Sequence, residues 1–435
     1  MEIYIYAFAA SLGLYMAWNI GANDVANSMA DAVGSNALSI RNAVIAAGIC
    51  EFAGAVLVGA HVTNTVRKGI VDPSVLAALP GITQHDAAVI LVIGMSAALI
   101  SAAFWLNMST VIGMPVSTTH SIVGAVAGFG LVAAGWGAVN WAKMGQIVAS
   151  WFISPLVGGV LSYIIFKYIS NAILGQEKPT QAAIKHMPII VFVMTLVVML
   201  ATIYKGLKHV TGDIEWLSGN RSLWFSVAVS IAVSILSYVW VKRKLRNKGE
   251  DKLGEQLEAV ERVFVPLVII SSCSVAFAHG ANDVANSVGP LAAIVNILKT
   301  GTIDMKVPVP LWILCLGGGG IVLGLATYGY RVMLTVGTKI TEITPSRGVA
   351  ADIAASATVL FCTRLSLPVS TTHTLVGAIL GIGLARGLGG INRRVVGSIF
   401  GSWVFTVPAA AIMSAIIFVI GRLFFFDTVS KIIGG

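Results

Sequence analysis

The stretch GANDVANS occupies residues 21–28, and the same eight residues return as GANDVANS at 280–287. A second stretch, PVSTTH, stands at 115–120 and again at 368–373. Each PVSTTH leads into Val-Gly-Ala, at 123–125 and at 376–378. Two motifs returning in one order mark an internal duplication. The chain around them sets the fold class. It has 435 residues, 57% hydrophobic and 11% charged, with a mean hydropathy of +0.88. A soluble domain carries about 25% charged residues. The deficit excludes an ordinary soluble enzyme, a disordered chain and a nucleic-acid-binding domain. The net charge of +9 comes from 28 basic against 19 acidic residues. It reflects scarce acids and a few basic loops, not a polyanionic partner. Cys50, Cys273, Cys315 and Cys362 lie scattered in apolar stretches, without metal or disulfide spacing.

A helix crossing a bilayer needs about 20 apolar residues. Candidate segments lie near 3–30, 42–66, 87–106, 121–135, 146–174, 188–206, 222–241, 263–292, 311–333, 348–365, 374–385 and 395–426. The expected fold is thus an all-α integral membrane protein of about twelve transmembrane segments. Segments 121–135 and 374–385 are short and follow Pro-containing breaks. They read as half-helices or arms of re-entrant hairpins. The N-terminus lacks a basic flank, so no cleavable signal peptide is expected. The polar stretch 242–262 holds seven basic and five acidic residues and reads as a solvated cytoplasmic loop. Seven segments precede it, which puts both termini on the extracellular side and agrees with the positive-inside rule. Both motif pairs lie seven segments apart. An odd offset inverts the second copy, so two inverted repeats are expected, about 1–140 and 263–392, in a single transporter domain spanning 1–435.

The first motif supplies Asn23, Asp24 and Asn27, and the second Asn282, Asp283 and Asn286. In a helix the two Asn of each set share a face, with the Asp beside them. Oxygen donors of this kind suit a hard cation, and a carboxylate inside a membrane segment is costly unless it has a function. The Gly that opens each motif allows an irregular backbone whose carbonyls would also ligate an ion. The same residues would also serve as a polar clamp between helices. PVSTTH follows a different logic. Pro, Ser and Thr begin helices well, and an apolar helix follows directly. Such an N-terminus, buried at mid-membrane, offers free N–H groups and the positive end of the helix dipole. Ser117, Thr118 and Thr119 add hydroxyls, as do Ser370, Thr371 and Thr372. Two facing ends make a cradle for an oxyanion such as phosphate or sulfate. Capped helices without a ligand are the plainer alternative. An oxyanion close to Asp24 and Asp283 requires cations between the charges, so anion and cation binding depend on each other.

Other residues are weaker candidates. Thr110 and Thr363 stand five residues before the two prolines and would add hydroxyl ligands to a cation. His120 and His373 end the PVSTTH motifs and would either relay protons or pack. Glu51 is a candidate third cation ligand, and Asp31 and Asp352 read as segment ends. Arg364 would contact an oxyanion or play a structural or gating part. No GxSxG, Walker A or HExxH pattern occurs, so no enzyme and no bound cofactor is expected, and transport would run on an ion gradient.

The paired GANDVANS and PVSTTH motifs resemble the duplicated signature of the inorganic phosphate transporter (PiT) family, and the likeness covers nearly the whole chain. The resemblance implies phosphate symport with sodium or with protons, extracellular termini, a cytoplasmic central loop, inverted repeats and a homodimer. It implies that Ser117, Thr118, Thr119, Ser370, Thr371 and Thr372 bind phosphate. It implies that Asn23, Asp24, Asn27, Asn282, Asp283 and Asn286 serve the cations and substrate. Many oxygen ligands and only two matched carboxylates favour sodium ions as the co-transported ligands. The reading is a sodium-coupled phosphate importer of the cell membrane that works by alternating access. Its rivals are a proton-coupled phosphate permease, a sulfate permease and an anion channel. A carboxylate acceptor in the cradle favours protonated phosphate over sulfate, which has no proton to donate.

Overall fold

The computed structural model describes residues 2–68, 70–71, 75–76, 81–203, 220–303, 309–364, 369–387 and 390–434. Among them the regular structure is helical, and pairing of extended backbone is confined to the isolated bridge between Val71 and Val139. The helices are α1 (Glu2–Ile20), α2 (Ile40–Lys68), α3 (Gln84–Val111), α4 (Thr118–Ala134) and α5 (Trp141–Ile169). They continue as α6 (Pro179–Ala201), α7 (Asn220–Leu245), α8 (Leu253–Asp283), α9 (Ala285–Thr300) and α10 (Leu311–Leu334). The last are α11 (Pro345–Arg364), α12 (Thr371–Ala385) and α13 (Arg393–Ile433).

Each expected segment overlaps helix among the described residues. Among the described residues nine spans are long and apolar enough to cross a bilayer. The chain is an all-α, multi-pass membrane protein. The two short segments are α4 and α12, of 17 and 15 residues. The segment expected at 263–292 is longer than its apolar core suggests. With α9 it forms one span, Leu253–Thr300, of 48 residues, about 70 Å at the helical rise. That exceeds the hydrocarbon thickness of about 30 Å, so its polar first turns lie outside. The stretch 242–262 is correspondingly less of a loop than expected. Helix α7 runs to Leu245 and α8 begins at Leu253, which leaves a short turn between them.

Small residues bring the helices together. A Cβ on Gly124 would lie 2.6 Å from the Val407 carbonyl oxygen, and one on Gly128 2.1 Å from that of Ala411. The matching residues of the other repeat, Gly377 and Gly381, meet the carbonyls of Pro155 and Gly159 at 2.3 and 2.0 Å. Each half-helix thus carries a Gly-x-x-x-Gly stripe that a long helix presses against backbone to backbone. Helix α13 holds α4, and α5 holds α12.

The two GANDVANS copies fold differently. After α1 the first copy forms a π turn over Gly21–Val25, a short helix Ala26–Ser28, a break at Met29 (φ −110°) and a second short helix Ala30–Gly34. The second copy stays helical, and Val284 between α8 and α9 keeps φ −55° and ψ −30°. Irregular backbone was expected at both motifs and occurs at the first. The second is followed by the apolar run PLAAIVNIL, which continues the helix.

Candidate functional site

The PVSTTH residues begin α4 and α12 as expected. Ser117 and Ser370 are the N-caps, each accepting from the backbone N–H three residues on, at His120 and at His373 (both 3.3 Å). Their hydroxyl oxygens thus hold the helix starts, while Thr118, Thr119, Thr371 and Thr372 form the first turns. Thr118 is fully buried, and its Oγ1 has no protein partner.

Asp24 lies at the start of α4. Its Oδ2 accepts from the Thr118 N–H at 3.4 Å, and its Oδ1 accepts a short hydrogen bond from the Thr372 hydroxyl of the other repeat. Asn27 Nδ2 donates to Asp24 Oδ1 (3.3 Å) and to Thr372 Oγ1 (3.2 Å). The second copy mirrors this pattern. Asn286 Nδ2 donates to Asp283 Oδ1 (3.3 Å) and to Thr119 Oγ1 (3.3 Å), and the Thr371 hydroxyl donates to Asp283 Oδ2 (3.5 Å). Asn282 Nδ2 donates to Asp283 Oδ1 at 2.9 Å. Each motif's last Asn therefore bonds a Thr of the opposite repeat. Asp24, Asn27, Asn282, Asp283 and Asn286, all expected to serve cations, thus converge with the threonines expected to serve the anion.

Asn23 and Thr110 have another task. Asn23 Nδ2 donates to Thr110 Oγ1 (3.0 Å) and to the Met114 carbonyl (2.9 Å), and Asn23 Oδ1 accepts from Val116 N–H (3.0 Å). Thr110 in turn donates to the Leu106 carbonyl at 2.8 Å. The pair latches the turn between α3 and α4, so in this structure both spend their polar atoms on the hairpin and not on Asp24. The side chains of Thr363 and Arg364 lie outside the described residues.

His279, which precedes the second GANDVANS, was not foreseen. Its Nε2 lies 2.7 Å from Asp283 Oδ2 and 3.7 Å from Asp24 Oδ2, and its Nδ1 lies 3.0 Å from Glu51 Oε1. All four side chains are buried. Glu51 thus faces the imidazole. A Cβ on Gly280 would lie 2.3 Å from the Glu51 carbonyl oxygen, so only glycine lets α2 come this close to α8. The corresponding crossing of Gly21 on Ile321 has apolar Ile20 in place of the histidine. In the sequence His279 stands out only as an imidazole in an apolar segment directly before the second motif.

His120 and His373 pack against each other with ring centroids 4.7 Å apart, and His373 stacks on Trp403 at 3.6 Å. Among the described residues neither forms an ion pair with a carboxylate, which fits packing behind the half-helices better than a proton relay. Asp31 and Asp352, expected at segment ends, are instead 0% and 1% exposed within the helical core.

The chemistry of the cluster suits cations. One ligand atom each from Asp24, His279 and Asp283 lies within 4.8 Å of the others. Asn27 Oδ1 and Thr118 Oγ1, both buried beside Asp24, have no protein partner and are oxygens of the kind a hard cation takes. Three carboxyl groups face one imidazole. A cavity of about 50 Å³ touches Asp24, Asn27, His279 and Thr371 and reaches Val198 and Ala201 at the end of α6. The start of α6 is tied to the first turn of α8 by the Thr180 hydroxyl, which donates to Gln256 Oε1 (3.0 Å).

The model of the phosphate transporter family matches residues 20–414. A putative phosphate permease of Pyrococcus furiosus is 45% identical over 410 residues, 94% of each chain. One of Pyrococcus abyssi is 47% identical over 408 residues, 94% of this chain and 95% of the relative. The chloroplastic inorganic phosphate transporter 2-1 of Arabidopsis thaliana is 40% identical over 93% of this chain and 70% of its own. Among solved structures, a sodium-dependent phosphate transporter matches with a TM-score of 0.81 and 41% identity, over 97% of this chain and 99% of that one.

Proposed function

This chain belongs to the phosphate transporter family, and from that premise we propose that it carries inorganic phosphate across the membrane together with sodium, by alternating access. The half-helix starts of α4 and α12 form the anion cradle, with Thr118, Thr119, Thr371 and Thr372 and their N–H groups as donors. Asp24, Asn27, Asn282, Asp283 and Asn286 supply the oxygens for sodium, and Asn23 with Thr110 keeps the first hairpin in register. Two inverted repeats, about 1–140 and 263–392, build one transporter domain, with the 246–252 turn in the cytoplasm and both termini outside. Twelve segments and a pairing of two copies complete the reading.

The observation that carries it is the exchange of partners between repeats: Asn27 bonds Thr372, and Asn286 bonds Thr119. Each cation ligand set thereby grips the anion cradle of the other repeat. Phosphate brings further negative charge to a cluster with three carboxylates. Sodium ions between the charges lower that repulsion, and phosphate in turn strengthens sodium binding. His279 between Asp24 and Asp283 favours one alternative, in which a proton takes the place of a sodium ion. Replacing Thr119 and Thr372 by Val, singly, tests the cradle. Removing a hydrogen bond to a charged group costs about 1.5–3 kcal/mol, so the half-saturation for phosphate should rise roughly tenfold or more. Unchanged uptake kinetics in both variants contradict the assignment.

A further inference from the structure

We propose that Trp151 and Trp403 are positioning residues of the anion cradle, and that they hold it in turn, one in each access state. The proposal rests on the alternating-access reading above. The duplication extends to the helices that carry them. Asn140 and Asn392 cap α5 and α13, each accepting from the backbone N–H three residues on, at 3.0 and 3.3 Å. Counted from these caps, Gly145, Ile147, Ser150 and Trp151 return as Gly397, Ile399, Ser402 and Trp403. The hydroxyls of Ser150 and Ser402 donate to the carbonyls of Ile147 and Ile399, both at 2.7 Å. The carbonyls that meet the half-helix glycines, those of Pro155 and Gly159 and those of Val407 and Ala411, correspond in the same count. The two tryptophans therefore occupy equivalent positions of one repeated unit.

Their contacts are not equivalent. Four rings touch in succession behind the cradle: Trp151, His120, His373 and Trp403. Successive centroids are 5.5, 4.7 and 3.6 Å apart. Trp403 lies almost flat on His373, with 16° between the planes, and its Nε1 donates to the Pro115 carbonyl at 3.0 Å. It grips the start of α12 through a ring and the start of α4 through a hydrogen bond. Trp151 is tilted 46° from His120, and its buried Nε1 has no partner among the described residues. One end of the series is closed and the other is open.

A buried N–H without an acceptor is costly, and a hydrogen bond removes that cost. Two equivalent donors, one bonded and one not, make a bistable element of the kind that switching proteins use. Closing Trp151 on His120 while Trp403 leaves Pro115 exchanges the two environments. Alternating access asks for such an exchange, because one group of helices rocks against the other around a fixed site. His120 and His373 directly follow the cradle threonines in sequence. The closed tryptophan therefore fixes where those hydroxyls stand.

Phenylalanine at either position keeps a ring and removes the indole N–H. Trp403→Phe loses the bond to Pro115, which belongs to the state seen here, whereas Trp151→Phe loses a donor that is unpaired here. Ala201→Cys reports this state, because the cavity beside Asp24 reaches Ala201. The reporter is placed in the full chain with Cys50, Cys273, Cys315 and Cys362 replaced by alanine. Its labelling by a water-soluble maleimide, in lipid nanodiscs without phosphate or sodium, should slow in Trp403→Phe by as much as about tenfold, the worth of one hydrogen bond. It should not slow in Trp151→Phe. Maximal phosphate uptake into proteoliposomes should fall in both variants, since each turnover visits both states, whereas a purely structural Trp151 would leave it unchanged. Equal labelling in the two variants, or full uptake by Trp151→Phe, overturns the proposal. The labelling uses no substrate, so it decides the role of the tryptophans whether or not phosphate is the cargo, which uptake by the unaltered chain decides separately.

Discussion

Asp24 and Asp283 have matching sequence surroundings but different partners. Both accept from the last Asn of their own motif, but Asp24 accepts further from the Thr118 backbone and Thr372, while Asp283 accepts further from Asn282 and Thr371 and touches His279 at 2.7 Å. Replacing either by Asn removes a charge a cation would neutralise. Sodium activation of phosphate uptake should weaken at least tenfold, about 1.4 kcal/mol per site. Normal sodium activation in both variants would refute their role. Glu51→Gln acts through His279 and not on a ligand, so it should shift the pH profile of uptake more than the half-saturation for phosphate. A changed phosphate half-saturation with an unchanged profile would show that Glu51 meets the substrate instead. The aspartates were legible in the sequence because a carboxylate stands out in so apolar a chain and is repeated. His279 was not, because it lies one residue outside the repeat.

The half-helices α4 and α12 were legible as elements because Pro, Ser and Thr stop one helix and start the next, and both ranges start within a residue of the motif serine. Their supports were not. Nothing in the sequence says that α13 presses on Gly124 and Gly128, or α5 on Gly377 and Gly381. Gly377→Val would drive a side chain into the Pro155 carbonyl, 2.3 Å from the Cβ position. Overpacking of this kind costs about 1–3 kcal/mol, and here it also displaces a binding surface. The variant should melt earlier and take up phosphate more weakly, while Gly145→Ala, on an open surface of α5, should change neither. Equal behaviour of the two variants would show that the stripe does not position the cradle. The π turn at Gly21–Val25 was also illegible, because an identical octapeptide stays α-helical up to Asp283 in the second copy.

At the scale of the whole molecule, hydropathy located the long apolar helices among the described residues, while the contacts between the two motif pairs came only with the structure. The long span Leu253–Thr300 and the short 246–252 turn also lay beyond a reading by apolar windows, since amphipathic turns extend a helix past its hydrophobic part. The topology has a direct check: single cysteines placed at 246–252 should react with impermeant reagents only from the cytoplasmic side, and labelling from outside would invert the assignment. The central claim is that two repeats join phosphate and sodium at one site. It is tested most directly by labelled-phosphate uptake into proteoliposomes under an inward sodium gradient, an inward proton gradient, or neither. Uptake that requires sodium, and is lost when Asp24 or Asp283 becomes Asn, is the predicted result. Full uptake with protons and no sodium, or no phosphate uptake under either gradient, would contradict it.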